Sequence, residues 1–200
     1  MAPHPIDEHP EIVRLAEALR ANAPRVEVDA SIRRAAVALI FRAGTDGEPE
    51  LLFIKRAEYP SDPWSGQIAF PGGRRESHDE SLEHTAVRET DEETGINLRA
   101  QGKILGQLDD LRPVSAHLPD LVICPFVAIV HEPPALSLTS EVAAAFWLPL
   151  LSLRDPTSWR DTEVIARGLQ MTRRAFHHDG NIIWGITERI IARLLALLGR

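Results

Sequence analysis

Glu89, Glu92 and Glu93 fall within little more than one turn of a helical run that closes on Gly95 and Ile96. At about 100° per residue, Glu89 and Glu93 lie about 40° apart on one helix face, with Glu92 beside them. Like charges at these spacings repel and weaken a bare helix. A hard divalent cation reverses the sign. Mg²⁺ takes oxygen ligands and favours a few carboxylates together with substrate phosphates. Just upstream stands Phe70-Pro71-Gly72-Gly73-Arg74-Arg75-Glu76, whose glycine pair lets backbone approach a ligand closely. The chemistry implied is metal-assisted attack on a phosphate group. Bound Mg²⁺ or Mn²⁺ would neutralise developing charge and lower the pKa of an attacking water.

Within that reading Glu89 and Glu93 are the expected metal ligands. Glu92 is a shared ligand or the general base, since a base must lie within one hydrogen bond of the water. Arg88 is a permanent cation and never a ligand; it is expected to pair with a neighbouring acid and hold the helix in register. Asp79 or Glu80 would be that acid, or simply a carboxylate favoured at a helix N-terminus. Lys55, Arg56, Arg74 and Arg75 flank the glycine loop and are the candidate substrate contacts, arginine being a natural bidentate partner of phosphate.

The same residues resemble the Nudix family, whose box reads G-x5-E-x7-R-E-U-x-E-E-x-G-U, U being aliphatic. Arg88-Glu89, Glu92-Glu93, Gly95 and Ile96 fall in register. The front half carries one extra residue: counting from Gly73 puts the first acid at Asp79, and counting back from Arg88 puts it at Glu80. Thr90 stands in the aliphatic place. Both departures resemble the coenzyme A pyrophosphatase branch, whose helix reads H-T-A-x-R-E-T-x-E-E-x-G; here it is His84-Thr85-Ala86-Val87-Arg88-Glu89-Thr90-Asp91-Glu92-Glu93-Thr94-Gly95. Ile183-Trp184-Gly185-Ile186-Thr187 is similar to the branch's I-W-G-x-T. Upstream, Leu51-Leu52, Arg56, Gly66 and Phe70-Pro71-Gly72-Gly73 follow the branch only in part, with Arg56 one residue out of register and Asp62 where an arginine is expected.

The resemblance implies an α/β/α sandwich with a mixed central sheet, a box over about residues 73–96, and a Gly73 carbonyl that faces the metal. It implies a pyrophosphohydrolase cleaving X-P-P-Y, with coenzyme A or its derivatives the leading substrate. A different nucleoside diphosphate derivative, an inositol pyrophosphate, or a silent nucleotide-binding module are the alternatives. Glu141, ahead of Phe146-Trp147-Leu148-Pro149, resembles an acid that many members carry there. It is read as a loop carboxylate, with metal contact or a base role left open.

Composition bounds the rest. Two hundred residues, 44% hydrophobic and 26% charged, suit one globular domain, read as residues 1–200 with an N-terminal helical extension over 1–30. A net charge of −7 argues against a nucleic-acid surface but not against an anionic substrate, because metal and local arginines set the field at a site. The single cysteine, Cys124, sits in an apolar run and reads as a small buried hydrophobe. No signal peptide or bilayer-spanning run is evident, so a cytoplasmic protein is expected. The expected partner is a small-molecule diphosphate, with a homodimer left open.

Periodicity orders the elements that must position the acids. Helices are expected at Glu11–Ala21, after Ser77-His78-Asp79-Glu80 read as a capping box, and at Ile186–Leu198. A short helix is allowed at Pro149–Leu153. Strands are expected at Arg34–Phe41, Leu51–Ile54, Gln67–Phe70, Ile104–Leu108, Leu121–Val130 and Ala143–Trp147. Leu169–His177 and Ile182–Trp184 read as a hairpin around Asp179-Gly180, which would put His177 and His178 on its surface.

Overall fold

The computed structural model describes residues 5–29, 31–59, 64–113, 120–166 and 169–199. Its centre is a seven-stranded sheet ordered β3-β2-β1-β6-β5. These strands are β1 (Arg33–Ala43), β2 (Pro49–Arg56), β3 (Ile68–Ala69), β5 (Gly102–Gln107) and β6 (Leu121–Val130). Two more join off this path: β4 (Gly72–Arg74) pairs with β1, and β7 (Val142–Pro149) pairs with β2. The sheet is mixed, because β1 and β6 run parallel from Arg33↔Leu121 to Phe41↔Ile129 and the other pairs are antiparallel. All ten residues of β6 are buried, as a continuous apolar strand covered on both faces must be.

Alternation along β1 sorts the core into two layers. Leu39 and Phe41 pack in one cluster with Leu15 and Leu19 of α1 (Pro10–Ala21) and Ile190 and Leu194 of α5 (Ile186–Leu197). Ala36, Ala38 and Ile40 pack in the other with Ala86 and Val87 of α2 (Leu82–Thr94). Helices on both faces of a mixed sheet complete the α/β/α sandwich. Two short helices, α3 (Leu98–Gln101) and α4 (Leu150–Leu153), close connections. A second sheet of three strands, β8 (Trp159–Ala166), β9 (Leu169–His178) and β10 (Asn181–Trp184), stands beside the first.

The glycine segment is held where the sheet splits. β1 pairs with β2 only over Phe41–Ala43. Beyond that the two strands part, and residues 68–74 fill the wedge: β3 pairs with β2 at Ile54↔Ala69, and β4 pairs with β1 at Ala36↔Gly73 and Val37↔Gly72. Ala38 N donates to Pro71 O at 2.8 Å. A Cβ on Gly72 would lie 2.3 Å from the Ala36 carbonyl oxygen, so this fit requires glycine.

Most elements expected from periodicity form, with ends displaced by up to two residues. Two expectations are corrected. The helix carrying the carboxylates does not start with a Ser77–Glu80 capping box. Its N-cap is Ser81, whose hydroxyl accepts from His84 N at 3.0 Å; residues 77–80 form a turn, because Asp79 is engaged elsewhere. Strand β8 was not expected at all. Arg160, Asp161, Glu163 and Ile165 are exposed, so the segment lacks the apolar alternation that marks a half-buried strand. Pairing with β9 over eight positions creates it. Asp62 lies outside the described residues. Among the described residues no helix is long and apolar enough to cross a membrane.

Candidate active site

Helix α2 is framed by Ser81 at its start and by Gly95 at its end, in the left-handed conformation at φ 74° with its N–H bonded to Asp91 O. Thr85, Ala86 and Thr90 are fully buried against the sheet. Thr90 donates its hydroxyl to Ala86 O at 2.7 Å. A threonine therefore fills an aliphatic position without leaving a buried polar group unpaired.

Two charge systems grow from this helix. In the first, the Asp79 carboxylate is fully buried and receives Arg88 side-on: Nε reaches Oδ1 and Nη2 reaches Oδ2, each at 3.0 Å. Thr85 Oγ1 and Glu76 N also donate to Oδ2, both at 2.9 Å. The Arg88 bonds hold the Asp79 carboxyl well below the usual carboxylate range, against the opposing effect of burial, with Glu76 N and Thr85 assisting. Arg88 then spends its remaining donors on Arg74 O at 3.2 Å, Glu89 Oε1 at 3.0 Å and Glu92 Oε2 at 3.0 Å. The acid that pairs with Arg88 from the loop is thus Asp79. Glu80 is exposed and engages only its backbone, its N–H donating to His84 Nδ1.

The second system faces the glycine loop. A Cβ on Gly73 would fall 2.4 Å from the Glu89 carboxylate, so the bare backbone there is what gives that carboxylate its room. Glu93, 3% exposed, accepts Gly72 N on Oε2 at 2.8 Å, and Arg56 Nη1 stands 3.8 Å from its Oε1. Burial pushes Glu93 up to about 7, opposed by Gly72 N and Arg56 and reinforced by the charges of Glu89 and Glu141. Burial likewise raises Glu89, with Arg88 pulling it down and Glu92 and Glu141 adding to the rise. Two desolvated carboxylates with raised proton affinity, beside close-approaching backbone, form a recognisable functional-site signature.

These groups open into a cavity of about 770 Å³. Arg56, Arg74, Gly72, Gly73, Glu89 and Glu93 line one part of it. Three of the residues expected there are elsewhere. Glu92 is exposed and does not line the cavity; about 100° around the helix from Glu93, it is paired outward with Arg88. Arg75 turns back to the loop, donating to Asp79 O at 3.0 Å. Lys55 is exposed and outside the lining. Conversely Glu141, read from sequence as a loop carboxylate, lines the cavity. Its segment is tied back at Ala57 N to Glu141 O, 2.8 Å, and at Tyr59 Oη to Ser140 O, 3.2 Å. Thr187 was missed as a site residue. It donates to Ile68 O at 2.9 Å and anchors the start of α5 on the cavity rim; its signal was the Trp184-Gly185-Ile186-Thr187 run.

The remaining candidates are structural. Burial pushes the Cys124 thiol up to about 12, in keeping with a buried hydrophobe. His177 is half-buried between Arg160 and Thr162 Oγ1, at 2.9 and 2.7 Å, and burial holds it below its usual range. It is a bridge between strands rather than a free surface group. Among the described residues no three His, Cys, Asp or Glu side chains already converge in metal-binding geometry. The pair Glu89 and Glu93 with the adjacent Gly73 backbone is the donor set that suits a hard cation.

Residues 32–168 match the NUDIX domain family model. The chain is 35% identical over 150 residues to the uncharacterized Nudix hydrolase NudL of Photorhabdus laumondii, covering 74% of this chain and 76% of that protein. A Schizosaccharomyces pombe protein without an assigned activity is 39% identical over 153 residues, covering 66% of this chain; the match spans less than half, 46%, of its length. Two solved structures share the fold. A MutT/nudix family protein from Enterococcus faecalis superposes with a TM-score of 0.52 at 15% identity, covering 98% of this chain and 77% of its own. An Ap4A hydrolase from C. elegans does so at 0.51 and 24%, covering 60% and 82%.

Proposed function

The chain belongs to the Nudix family of pyrophosphohydrolases, and we propose that it cleaves a diphosphate linkage X-P-P-Y with the help of Mg²⁺ or Mn²⁺. The observation that carries this reading is the facing pair Glu89 and Glu93 beside the Gly72-Gly73 backbone, both raised in proton affinity by burial. In this reading Glu89, Glu93 and the Gly73 carbonyl hold the cation. When bound, the cation neutralises the diphosphate and acidifies water. Arg56 and Arg74, on the cavity wall, meet the phosphate oxygens. Arg88, locked by Asp79, orients Glu89 and carries Glu92 on its outer side. Glu92 thereby acts through Arg88, and Glu141 takes the base role: it lines the cavity and its charge is felt by both Glu89 and Glu93. The base holds the proton released by the attacking water.

Coenzyme A and its derivatives are the leading substrates in this proposal. The support is the His84–Gly95 helix together with the Trp184–Thr187 run. The test is a panel of diphosphates incubated with Mg²⁺ or Mn²⁺, products separated by chromatography. Coenzyme A should give adenosine bisphosphate and phosphopantetheine. Turnover of a nucleotide sugar, dinucleoside polyphosphate or inositol pyrophosphate with coenzyme A inert would replace the substrate and keep the chemistry. Binding without turnover of any diphosphate would make the protein a silent nucleotide-binding module.

A further inference from the structure

The cavity is built from both faces of the sheet. Two of its three carboxylates, Glu89 and Glu93, come from α2, which packs on the Ala36, Ala38 and Ile40 face; the third, Glu141, stands just before β7. The opposite wall comes from α5, which packs on the Leu39 and Phe41 face. The two meet in one space because β1 and β2 part at the wedge filled by residues 68–74. The walls differ in chemistry. Among the described lining residues, charge is confined to Arg56, Arg74, Glu89, Glu93 and Glu141. The far wall is Ile68, Leu121, Ile123, Ile186 and Ile190, with the Thr187 hydroxyl already donated to Ile68 O. Two cations stand against three carboxylates among these lining residues, so a densely anionic substrate finds no surplus positive charge there. A space of about 770 Å³ also exceeds what a diphosphate alone would fill, being in the range of pockets that hold drug-sized ligands.

We infer that the far wall binds an uncharged, largely apolar arm of the substrate, so that the preferred diphosphates carry such an arm on one side and no further charged groups within it. The inference rests on the hydrolase reading above and specifies its substrate class. Ile186 is the specificity residue most open to test. It is half-buried at the first position of α5 and lines the cavity directly. Each methylene that leaves water for such a wall can strengthen binding by up to about fourfold.

The experiment uses three esters of adenosine diphosphate with the intact protein and Mg²⁺: methyl, octyl, and an octyl chain ending in a phosphate. The octyl ester should exceed the methyl ester in kcat/KM by at least about tenfold, and the phosphate-ended chain should lose most of that gain. Ile186→Asn should cut the octyl-to-methyl ratio to under about threefold. This ratio is taken within one preparation and is insensitive to how much of the variant is folded. Equal rates for methyl and octyl esters, a phosphate-ended chain as good as octyl, or a full gain surviving in Ile186→Asn would each overturn the apolar arm while leaving the hydrolase reading intact. Hydrolysis of none of the three would overturn the apolar arm, and the hydrolase reading falls with it only if every diphosphate of the panel above is inert as well.

Discussion

The two sides of α2 treat charge in opposite ways. On the outer side Arg88 meets Asp79 side-on and adds Glu92, so charge is matched where it is buried. On the cavity side Glu89 and Glu93 crowd together, Arg56 stands 3.8 Å from Glu93, and burial raises both acids. The first arrangement stabilises the fold: a buried, fully hydrogen-bonded ion pair whose partners are costly to separate. The second costs stability in the protein alone, and under the proposed function a bound cation would offset that cost. Matched and unmatched charge are thus divided between residues one to five positions apart on one helix.

The largest expected effect separates the two sides by rate. Glu93→Gln keeps the shape of the side chain but removes a carboxylate from the cavity lining, and under the proposed function should lower kcat/KM about a thousandfold. Glu92→Gln, on an exposed carboxylate whose pair contributes about 0–1 kcal/mol, should change it by less than about fivefold. Steady-state kinetics on one diphosphate decides; equal losses in both variants would erase the distinction.

Stability should show the reverse. Asp79→Ala leaves Arg88 without its buried partner and should cost about 3–5 kcal/mol, measured by urea unfolding. Glu93→Gln should cost nothing or stabilise the metal-free protein. If Asp79→Ala unfolds at the parental urea concentration, the outer side is not the structural one.

The smallest effect is in pH. Glu93 binds its proton more tightly in the folded protein, at about 7 against an ordinary value of 4.5. Free of divalent metal, the protein should therefore lose about 3 kcal/mol of stability as pH rises through that interval. Asp79 moves the other way: its contribution is full above its ordinary value of 3.8 and fades only as pH falls below it, so it leaves this window flat. Thermal unfolding from pH 4.5 to 7 in a chelator should show the fall in the parent and a clearly smaller one in Glu93→Gln, where only Glu89, raised by burial as well, still contributes. Added Mg²⁺ should oppose it at the upper end.

Much of this arrangement was legible in the chain before folding. The spacing of Glu89 and Glu93 already puts them on one helix face, because helical geometry is local. Gly95 as a C-cap, the apolar run Leu121–Val130 and the amphipathic helix from Ile186 are local signals too, and each forms as expected. The Nudix fold follows from the box and from these alternating elements. Glu92 could not be told apart from its neighbours by spacing alone. Its exclusion from the cavity depends on Arg88, whose reach to it is set by the buried Asp79.

Contacts between distant segments decided the rest. Sequence left Asp79 and Glu80 equivalent; burial of one beside Thr85 and Arg88 resolved them. Glu141 read as an ordinary loop carboxylate, and only the pairing of Ala57 with its carbonyl brings it to the cavity, across more than eighty positions of chain. The far wall of Leu121, Ile123, Ile186 and Ile190 reads in sequence as plain core. Its availability depends on where β1 and β2 part, which no local periodicity records. The sequence by itself determined which chemistry the helix can carry, because side-chain spacing on a helix is set within a turn or two. The tertiary structure decided which of those side chains face the cavity and what else shares the space, because burial and cavity shape arise from segments that meet only when the sheet assembles.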